Sequence, residues 1–399
     1  MLDFEISEDG IITEYYGSDT KIVIPEGIKG IDMYVFNNDD ELEEVSIPDS
    51  IETIDSANFE CCDNLKFNEY GGGYYLGNEH NPYLVLMSAE ENLAELDIKD
   101  GCKIVFANAL LDNESIRKVS FPQSLRSIGF MAFYGCELLT ELSFPEGIEY
   151  IDACAFCNSG LKKLVFPETL KHIGFDAFSL VSLEEVSLPS GIKHIGNGAF
   201  SHNDIKFNEY EGGYYIGNER EPYICFMKPS DTSAISIRLH KDTKHIYSGA
   251  FNGCRRLSSA TLPDGLIEIG HDAFRECGAL TEIVIPESVK LIGENAFTCC
   301  ESLKTVRLPK GKLEIEAGAF VGCSSIEEVD LGEAIIGDNA FEGCTALRSF
   351  TAGAGSNLYG DFIFSECSSL KTVRLPKSLL ERYTAEEFED SKDVTVEYV

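Results

Sequence analysis

The chain has 399 residues, of which 44% are hydrophobic, and its formal charge is −36 because 68 Asp and Glu outnumber 32 Lys and Arg. So large a negative charge repels phosphate-rich surfaces, which excludes nucleic acid and anionic membranes as expected partners. No stretch approaches the roughly 18 consecutive apolar residues of a transmembrane helix, so no membrane-spanning segment is expected.

The first 24 residues predict an N-terminal β cap. FEISEDGIITEYY alternates apolar and polar residues on both sides of Asp9-Gly10, a dipeptide typical of hairpin turns. Met1 is followed by the acidic LDFEISEDG, which lacks the basic and apolar regions of a signal peptide. We therefore expect a cytoplasmic chain, with a secreted or cell-surface chain as the alternative if a leader has been removed.

Beyond this cap, one short unit recurs along the chain. Its clearest copy is residues 280–303, LTEIVIPESVKLIGENAFTCCESL. The Phe of the unit (Leu in one copy) recurs at steps of 21 to 23 residues, with two steps of 51, at Phe36, Phe59, Leu110, Phe133, Phe156, Phe178, Phe200, Phe251, Phe274, Phe297, Phe320, Phe341 and Phe364. A period of this length with L-x-x-L-x-L spacing is the signature of leucine-rich repeats.

Each copy predicts one coil of a solenoid. In residues 183–189, LEEVSLP, Val186 and Leu188 alternate with polar residues, which indicates a short strand with one buried face. Pro189 lacks an N–H group and ends the strand. Because one coil cannot bury its own apolar face, neighbouring coils must stack. Residues 25–377 therefore predict a strand-rich leucine-rich-repeat solenoid of the α/β horseshoe class, with one parallel strand per coil and little α-helix.

Two further positions of the unit are regular. A Gly follows the Ile of the second half, at Gly129, Gly174, Gly196, Gly270 and Gly293, and we expect it to permit a tight bend. Eight Cys lie three residues after the Phe position, at Cys62, Cys136, Cys254, Cys277, Cys300, Cys323, Cys344 and Cys367. A fixed position in the repeat favours buried, reduced packing thiols.

Two inserts interrupt the repeat. Each step of 51 residues holds a coil of 23 and 28 more residues (51 − 23 = 28). KFNEYGGGYYLGNEHNPYLVLM starts at Lys66 and KFNEYEGGYYIGNEREPYICFM starts at Lys206, which reveals a larger duplication. Apolar stretches flank Gly-Asn-Glu-x-x-Pro in both, so we predict β-hairpins that leave the solenoid at about residues 66–91 and 206–232. Their aromatic residues either pack onto the solenoid or form a ledge for a partner, and they are Tyr74, Tyr75, Tyr83, Tyr214, Tyr215 and Tyr223.

Residues 378–399 predict a C-terminal cap. Thr384 and Glu387 form a capping box, which indicates a short helix over about 384–390. The closing VTVEYV alternates in polarity and predicts a last strand.

The repeated unit, L-x-x-V-x-L-P-x-x-L-x-x-I-G-x-x-A-F-x-x-C, resembles the BspA-like (Treponema-type) leucine-rich repeats over about residues 20–378. The inserts, with GGYYxGNExxPY, also resemble a segment of such proteins from gut Firmicutes. The resemblance implies a repeat solenoid. It also implies a bacterial cell-surface or secreted setting, since adhesion and host-protein binding have been proposed for some family members.

Residues that could carry chemistry are few in this sequence. His172, His194 and His245 share one position of the repeat, which predicts a row on an outer face with His172 and His194 on neighbouring coils. Such a row could share a metal or sense pH, or be simply solvated, and solvated positions are favoured. Cys154 and Cys157 form a lone C-x-x-C that coincides with the repeat and indicates packing. The sequence lacks the nucleophile-elbow, P-loop and zinc-protease motifs, so no enzyme, cofactor or metal site is predicted.

The outward-facing strand positions are the best candidates for binding. Six of the eleven residues at one outward phase are Ser or Thr, which leaves a shallow surface. Arg307 and Arg374 interrupt an acidic field and could anchor a carboxylate. The predicted contact residues on this face are Glu282, Thr305, Arg307, Asp330 and Arg374.

These observations predict a non-catalytic, monomeric scaffold for protein–protein interaction that binds through its concave strand face and the two inserts. The partner is a protein whose identity the sequence leaves open. An adhesin for glycans or extracellular matrix is the alternative, and a hydrolase is a remote one.

Overall fold

The computed structural model describes residues 3–37, 39–380, 382, 388, 391 and 394–398. The chain divides into two compact units, Met1–Lys206 (unit 1) and Phe207–Val399 (unit 2). In both units the coils place short parallel strands in two rows. Row A is formed by the L-x-x-V-x-L segments, and row B is formed by the segments that precede the Gly position of the repeat.

Unit 1 begins with an antiparallel hairpin, β1 (Phe4–Ile6) and β2 (Ile11–Tyr15), and contains one insert between its second and third regular coils. Its row A consists of β3 (Lys21–Val23), β5 (Glu44–Ser46), β10 (Glu95–Asp97), β12 (Lys118–Ser120), β14 (Glu141–Ser143), β16 (Lys163–Val165) and β18 (Glu185–Ser187). Its row B consists of β4 (Gly30–Ile31), β6 (Thr53–Ile54), β11 (Ile104–Val105), β13 (Ser127–Ile128), β15 (Tyr150–Ile151), β17 (His172–Ile173) and β19 (His194–Ile195). The insert strands are β7 (Asn68–Tyr70), β8 (Gly73–Leu76) and β9 (Val85–Ala89).

Unit 2 begins with the second insert and repeats the same plan. The insert strands are β20 (Asn208–Tyr210), β21 (Gly213–Ile216) and β22 (Cys225–Pro229). Row A consists of β23 (Ser236–Arg238), β25 (Ser259–Thr261), β27 (Glu282–Val284), β29 (Thr305–Arg307), β31 (Glu328–Asp330), β33 (Ser349–Thr351), β35 (Thr372–Leu375) and β36 (Thr395–Tyr398). Row B consists of β24 (His245–Ile246), β26 (Glu268–Ile269), β28 (Leu291–Ile292), β30 (Leu313–Ile315), β32 (Ala334–Ile336) and β34 (Asn357–Leu358).

The predicted fold class is confirmed. Strands of neighbouring coils pair in parallel, as in β27 with β29, and one 3₁₀ turn, Lys377–Leu379, is the only helical element within the described ranges. The sequence predicted one strand per coil and missed row B. Most row B strands are two or three residues long, which is too short for an alternating pattern to be visible.

Stacked side chains fill the core of both units. The rings of Phe274, Phe297 and Phe320 lie parallel with centroids 5.0 and 5.1 Å apart, and all three are fully buried. The Cys ladder is buried as predicted, and most of its thiols donate hydrogen bonds to carbonyls of the preceding coil, as from Cys300 Sγ to Phe274 O at 3.1 Å. Burial also raises the pKa of the Cys136 thiol to about 12, so this thiol stays protonated and unreactive at neutral pH.

The glycines of row B have a different cause from the one predicted. The backbone at Gly129 is not in the left-handed region, but a Cβ there would lie 2.9 Å from the backbone nitrogen of Ala107. Close stacking of the coils therefore selects Gly at this position.

The inserts form antiparallel meanders. In unit 1, β7 pairs with β8 and β8 pairs with β9, while β9 also pairs in parallel with β11 of row B. The prediction that each insert leaves the solenoid is therefore wrong for its last strand, which continues the row. Unit 2 has the same arrangement, with β22 paired to β24, as the duplication predicts.

Strands close the two ends of the chain. The hairpin predicted at Asp9-Gly10 is confirmed, and its strand β2 pairs in parallel with β4. The predicted last strand is confirmed over Thr395–Tyr398, where β36 pairs with β35. The helix predicted over 384–390 lies outside the described residues, apart from Phe388. The Phe388 side chain is buried, and its ring centroid lies 5.6 Å from that of Phe364.

Candidate functional site

The predicted contact residues of row A are exposed, but they do not form one cluster. Glu282 pairs in register with Thr305, and Val284 pairs with Arg307. Arg374 lies on β35, with β31 and β33 between it and Arg307 in the order of the coils. The predicted surface therefore separates into a part around Arg307 and a part around Arg374.

Around Arg307 the parallel ladder of row A is open. Strands β23, β25, β27 and β29 form one sheet, and β31, β33, β35 and β36 form another. Within the part of the chain that the structure describes, no strand pairing joins β29 to β31. A cavity of about 450 Å³ lies at this opening, which we call the notch. Its charged and polar lining residues are Lys304, Thr305, Arg307, Lys310, Glu327, Glu328 and Asp330.

The cationic side chains of the notch differ in whether an acidic residue of the chain already pairs with them. Lys304 pairs with Glu327 at 3.1 Å, and Lys310 pairs with Asp330 at 2.6 Å. The side chain of Arg307 makes no hydrogen bond or ion pair among the residues with described positions. A guanidinium in this state offers a planar set of donors that fits a carboxylate in a bidentate manner.

Arg374 differs from Arg307. Its Nε donates to Glu397 Oε2 at 2.6 Å, across the pair formed by β35 and the C-terminal strand β36. The carboxylate of Glu397 raises the pKa of the Arg374 guanidinium. A ligand carboxylate at Arg374 would have to compete with this internal one, so the two arginines are not equivalent anchors.

The tyrosines of the first insert surround a cation of the chain itself. The ammonium of Lys99 lies 4.3 Å from the ring centroid of Tyr70 and 6.0 Å from that of Tyr83. The Lys99 backbone N–H donates to Tyr75 Oη at 3.3 Å. Tyr75 is fully buried, so its prediction as a contact residue is wrong. Burial raises the pKa of its hydroxyl to about 12.

The second insert encloses an imidazole instead. The ring of His240 lies 4.6 Å from that of Tyr210 and 4.3 Å from that of Tyr223, and the His240 backbone N–H donates to Tyr215 Oη at 3.3 Å. Tyr215 is fully buried, so it too was wrongly predicted to contact a partner. Packing onto the solenoid is thus the alternative that the structure supports for the innermost tyrosines. Tyr74 and Tyr214 are partly exposed. The ring centroid of Tyr74 lies 6.5 Å from that of Phe67, and the ring centroid of Tyr214 lies 5.7 Å from that of Phe207.

The histidine row is present in unit 1 alone. His172 pairs in register with His194, and their ring centroids lie 6.2 Å apart, which confirms their placement on neighbouring coils. The predicted outward position of His245 is wrong, because this residue is buried with its Nδ1 2.9 Å from Glu268 Oε2. The described residues contain no group of three or more His, Cys, Asp or Glu arranged to hold a metal.

The sequence prediction missed a groove along row B of unit 1. Its cavity has a volume of about 310 Å³ and extends from Thr53 to His194. The carboxyl groups of Asp55 and Asp152 line it, together with the ring of Tyr150. Burial, followed by the charge of Asp55, raises the pKa of the Asp152 carboxyl. The signal was visible in the sequence, since both Asp residues occupy the position where five other coils have the Gly named above.

Comparison with known proteins agrees with the repeat pattern. A model of the BspA type leucine rich repeat region matches residues 14–71, 89–218, 223–335 and 334–396. No curated protein gives a significant match. Across the residues with described positions, no helix has the length and apolar character needed to cross a membrane.

Several solved structures are similar to this chain. A leucine-rich repeat protein from Bacteroides ovatus is 24% identical over 95% of this chain and 84% of its own, with a TM-score of 0.34. A leucine-rich repeat protein from Eubacterium ventriosum is 19% identical over 78% of this chain and 89% of its own, with a TM-score of 0.41. A leucine rich cell surface protein from Faecalibacterium prausnitzii is 20% identical over 98% of this chain and 96% of its own, with a TM-score of 0.35.

Proposed function

Because this chain belongs to the BspA-type leucine-rich repeat proteins, we propose that it is a non-catalytic scaffold that binds a protein partner at the notch of row A. Repeat proteins of this kind present extended surfaces of strand residues to their partners. The observation that carries the proposal is the unengaged guanidinium of Arg307 beside an open ladder.

The notch selects for a carboxylate on the partner. Lys304 and Lys310 are already held by acidic residues of the chain, so Arg307 is the cation of the notch with binding capacity to spare. The exposed Thr305, on the same strand, adds a hydroxyl group. A bidentate pair of guanidinium and carboxylate fixes orientation as well as affinity. An Asp or Glu side chain, or a C-terminal carboxylate, of the partner fits this geometry.

The aromatic inserts have a secondary role in this proposal. Tyr75 and Tyr215 are buried and stabilise the fold. The partly exposed Tyr74, Tyr83, Tyr214 and Tyr223 are therefore the insert residues that remain as contact candidates. Their rings would supply apolar area beside a polar hydroxyl, as aromatic residues do in many interfaces.

The test is quantitative affinity capture from lysate of the producing cells with the wild-type chain, R307E and R374E. Both substitutions make the same charge change on row A, but Arg374 is already paired with Glu397. We expect R307E to reduce recovery of the main partner at least tenfold and R374E to reduce it much less. A photo-crosslinking residue at position 305 should form an adduct with the same partner. The same probe at position 23, an exposed row A residue of unit 1, should not.

Two results would contradict the proposal. Equal recovery with R307E, when circular dichroism shows the variant to be folded, would remove the notch as the binding site. A partner that crosslinks from position 23 and not from position 305 would place binding elsewhere. The adhesin alternative stays a prediction, and binding of the intact chain to a glycan array or to matrix proteins tests it directly.

A further inference from the structure

The groove of unit 1 combines a floor of row B strands, an aromatic wall and two carboxylates. Residues of β6, β11, β13, β15 and β17 line its base, and their Ile and Val side chains, apart from Ile54, are almost completely buried in the core. The ring of Tyr150 stacks on that of His172 at 4.8 Å with an angle of 10° between the planes, and His194 follows on the next strand. Tyr150 is 45% exposed, so its ring is accessible to a ligand.

We propose that this groove binds an extended, basic segment of a partner protein, with Lys or Arg side chains directed at Asp55 and Asp152. The proposal is separate from the notch, because it concerns unit 1 and a ligand of opposite charge. It rests on three observations: the charge of the lining, the aromatic wall and the length of the groove.

The charge of the lining is negative and not neutralised internally. Asp55 and Asp152 are the acidic residues that line the groove, and its other titratable residues are Tyr150, His172 and His194. Both accept hydrogen bonds from backbone amides, from Ala57 N–H to Asp55 Oδ1 at 3.0 Å and from Ala153 N–H to Asp152 Oδ1 at 2.6 Å. Neither carboxylate forms an ion pair with another described residue. Desolvation raises the pKa of the Asp152 carboxyl, and the charge of Asp55 adds to the increase, so a cation of a ligand beside these groups would favour their charged forms.

Three cations near the groove are held by other groups. Lys103 Nζ donates to the carbonyl of Asp49 at 2.5 Å, and Arg126 donates to the carbonyls of Gln123 and Leu125. Lys171 is paired with Glu149. None of these three cations lines the groove, and Asp55 and Asp152 supply the carboxylates that a ligand meets there.

The wall and the length suit a peptide better than a compact ligand. Strands β11, β13, β15, β17 and β19 are consecutive neighbours, so four steps of about 4.8 Å give a length of roughly 19 Å. An extended chain of about six residues has this length. Because the groove crosses the strands, the sheet offers the peptide no edge, and recognition relies on side chains. A guanidinium or the stem of a lysine can stack on Tyr150 while its charge reaches a carboxylate.

The test is selection of random twelve-residue peptides displayed on phage against the intact chain. Selections are run on the wild-type protein, on D55N/D152N and on E60Q/E146Q. The last variant makes the same change in net charge with exposed acidic residues of unit 1 that do not line the groove. We expect peptides rich in Arg and Lys to be enriched by the wild type and by E60Q/E146Q, and not by D55N/D152N.

The strongest selected peptide is then measured by fluorescence anisotropy. We expect D55N/D152N to weaken its binding at least tenfold and Y150A to weaken it severalfold. Replacing each Arg of the peptide by citrulline, its neutral isostere, should weaken binding as much as D55N/D152N does. R307E should bind this peptide as the wild type does. The notch proposal and the groove proposal can therefore fail independently of each other, because each is tested with its own variants.

Three outcomes would overturn the inference. One is a selection with no enrichment of basic residues over the starting library. Another is equal enrichment on D55N/D152N, which would place the basic peptides elsewhere. The third is equal loss of affinity in E60Q/E146Q, which would show that the peptides respond only to overall charge. Thermal melts of all variants establish that the folded chains are being compared.

Discussion

The two inserts have nearly the same sequence and the same strands, yet they enclose different side chains. In unit 1 the ammonium of Lys99 lies over Tyr70, and in unit 2 the imidazole of His240 lies against Tyr210 and Tyr223. Both residues come from the coil after the insert. The tyrosine cluster is therefore the same in both copies of the duplication, whereas the side chain that it encloses differs. The cluster can pack around either a lysine or a histidine.

Row B shows a larger difference between the units. Tyr150 and Asp152 of the groove correspond in the 141-residue displacement (291 − 150 = 141) to Leu291 and Gly293. Conversely, unit 2 has the buried pair of His245 and Glu268 where unit 1 has Ile104 and Ser127. Unit 1 uses polar residues of row B at an accessible groove, and unit 2 buries them. The units share their core and differ in what row B offers to a ligand.

The largest expected effect tests the shared core. Phe156→Ala and Phe297→Ala each remove a fully buried ring stacked between neighbours at about 5 Å in its own unit. Each should lower the free energy of unfolding by about 3–5 kcal/mol, because each leaves a cavity that stacked coils cannot close. Denaturant titration of the two variants measures this. A loss below about 1 kcal/mol in one unit alone would show that the cores are not equivalent.

The shared core is also the part that the sequence predicted best. Phe156, Phe297 and the Cys ladder recur at one position of the repeat, and a recurring apolar position has one physical explanation, which is burial in a stack. The hairpin at Asp9-Gly10 and the last strand were predictable for a similar reason, since local alternation and turn chemistry determine them. Row B could not be predicted from the sequence, because its strands are too short to show a period.

The site was less predictable because it depends on contacts between residues far apart in the sequence. Arg307 and Arg374 look alike in the repeat, and only the pairing of β35 with β36 shows that Glu397 engages one of them. Tyr75 and Tyr215 looked like surface aromatics until the parallel pairing of β9 and β22 placed the inserts in row B. Asp55 and Asp152 had a signal in the sequence, a departure from Gly, but its meaning depends on the spacing of the coils.

A smaller effect tests the contents of the tyrosine clusters. Lys99→Gln should lower the free energy of unfolding by about 0.5–1 kcal/mol, because it removes the cation over Tyr70 and keeps a polar side chain. His240→Gln should cost about 0.5–1.5 kcal/mol through the loss of its ring contacts with Tyr210 and Tyr223. Tyrosine emission during thermal unfolding reports both changes, since the chain has no Trp.

Exchanging the two enclosed side chains between the clusters extends this test. If either enclosed side chain suits both clusters, K99H and H240K should each be less destabilising than the corresponding glutamine variant. No measurable loss in K99Q would mean that the Lys99 contact does not stabilise the first insert. Tyr70 and Tyr83 would then be available to bind a cation from a partner.

The smallest effect concerns the groove and depends on pH. Burial and the charge of Asp55 raise the pKa of Asp152, so the folded state holds this proton more tightly than the unfolded state does. Stability should therefore fall as pH rises from the ordinary aspartate pKa through the raised one, and Asp152→Asn should remove that decline. We expect D152N to be slightly more stable than the wild type at neutral pH and equal to it well below the ordinary pKa. Melting temperatures of both chains across this range measure the difference. Unit 2 has Gly293 at this position, so it contributes no such decline. A bound basic peptide should reverse the effect, because a cation beside Asp152 favours the charged carboxylate and makes D152N the less stable chain in the complex.

A wild type that is already the more stable chain at neutral pH without peptide would mean that Asp152 is engaged by a cation of this protein, and the groove would then have no free charge to offer.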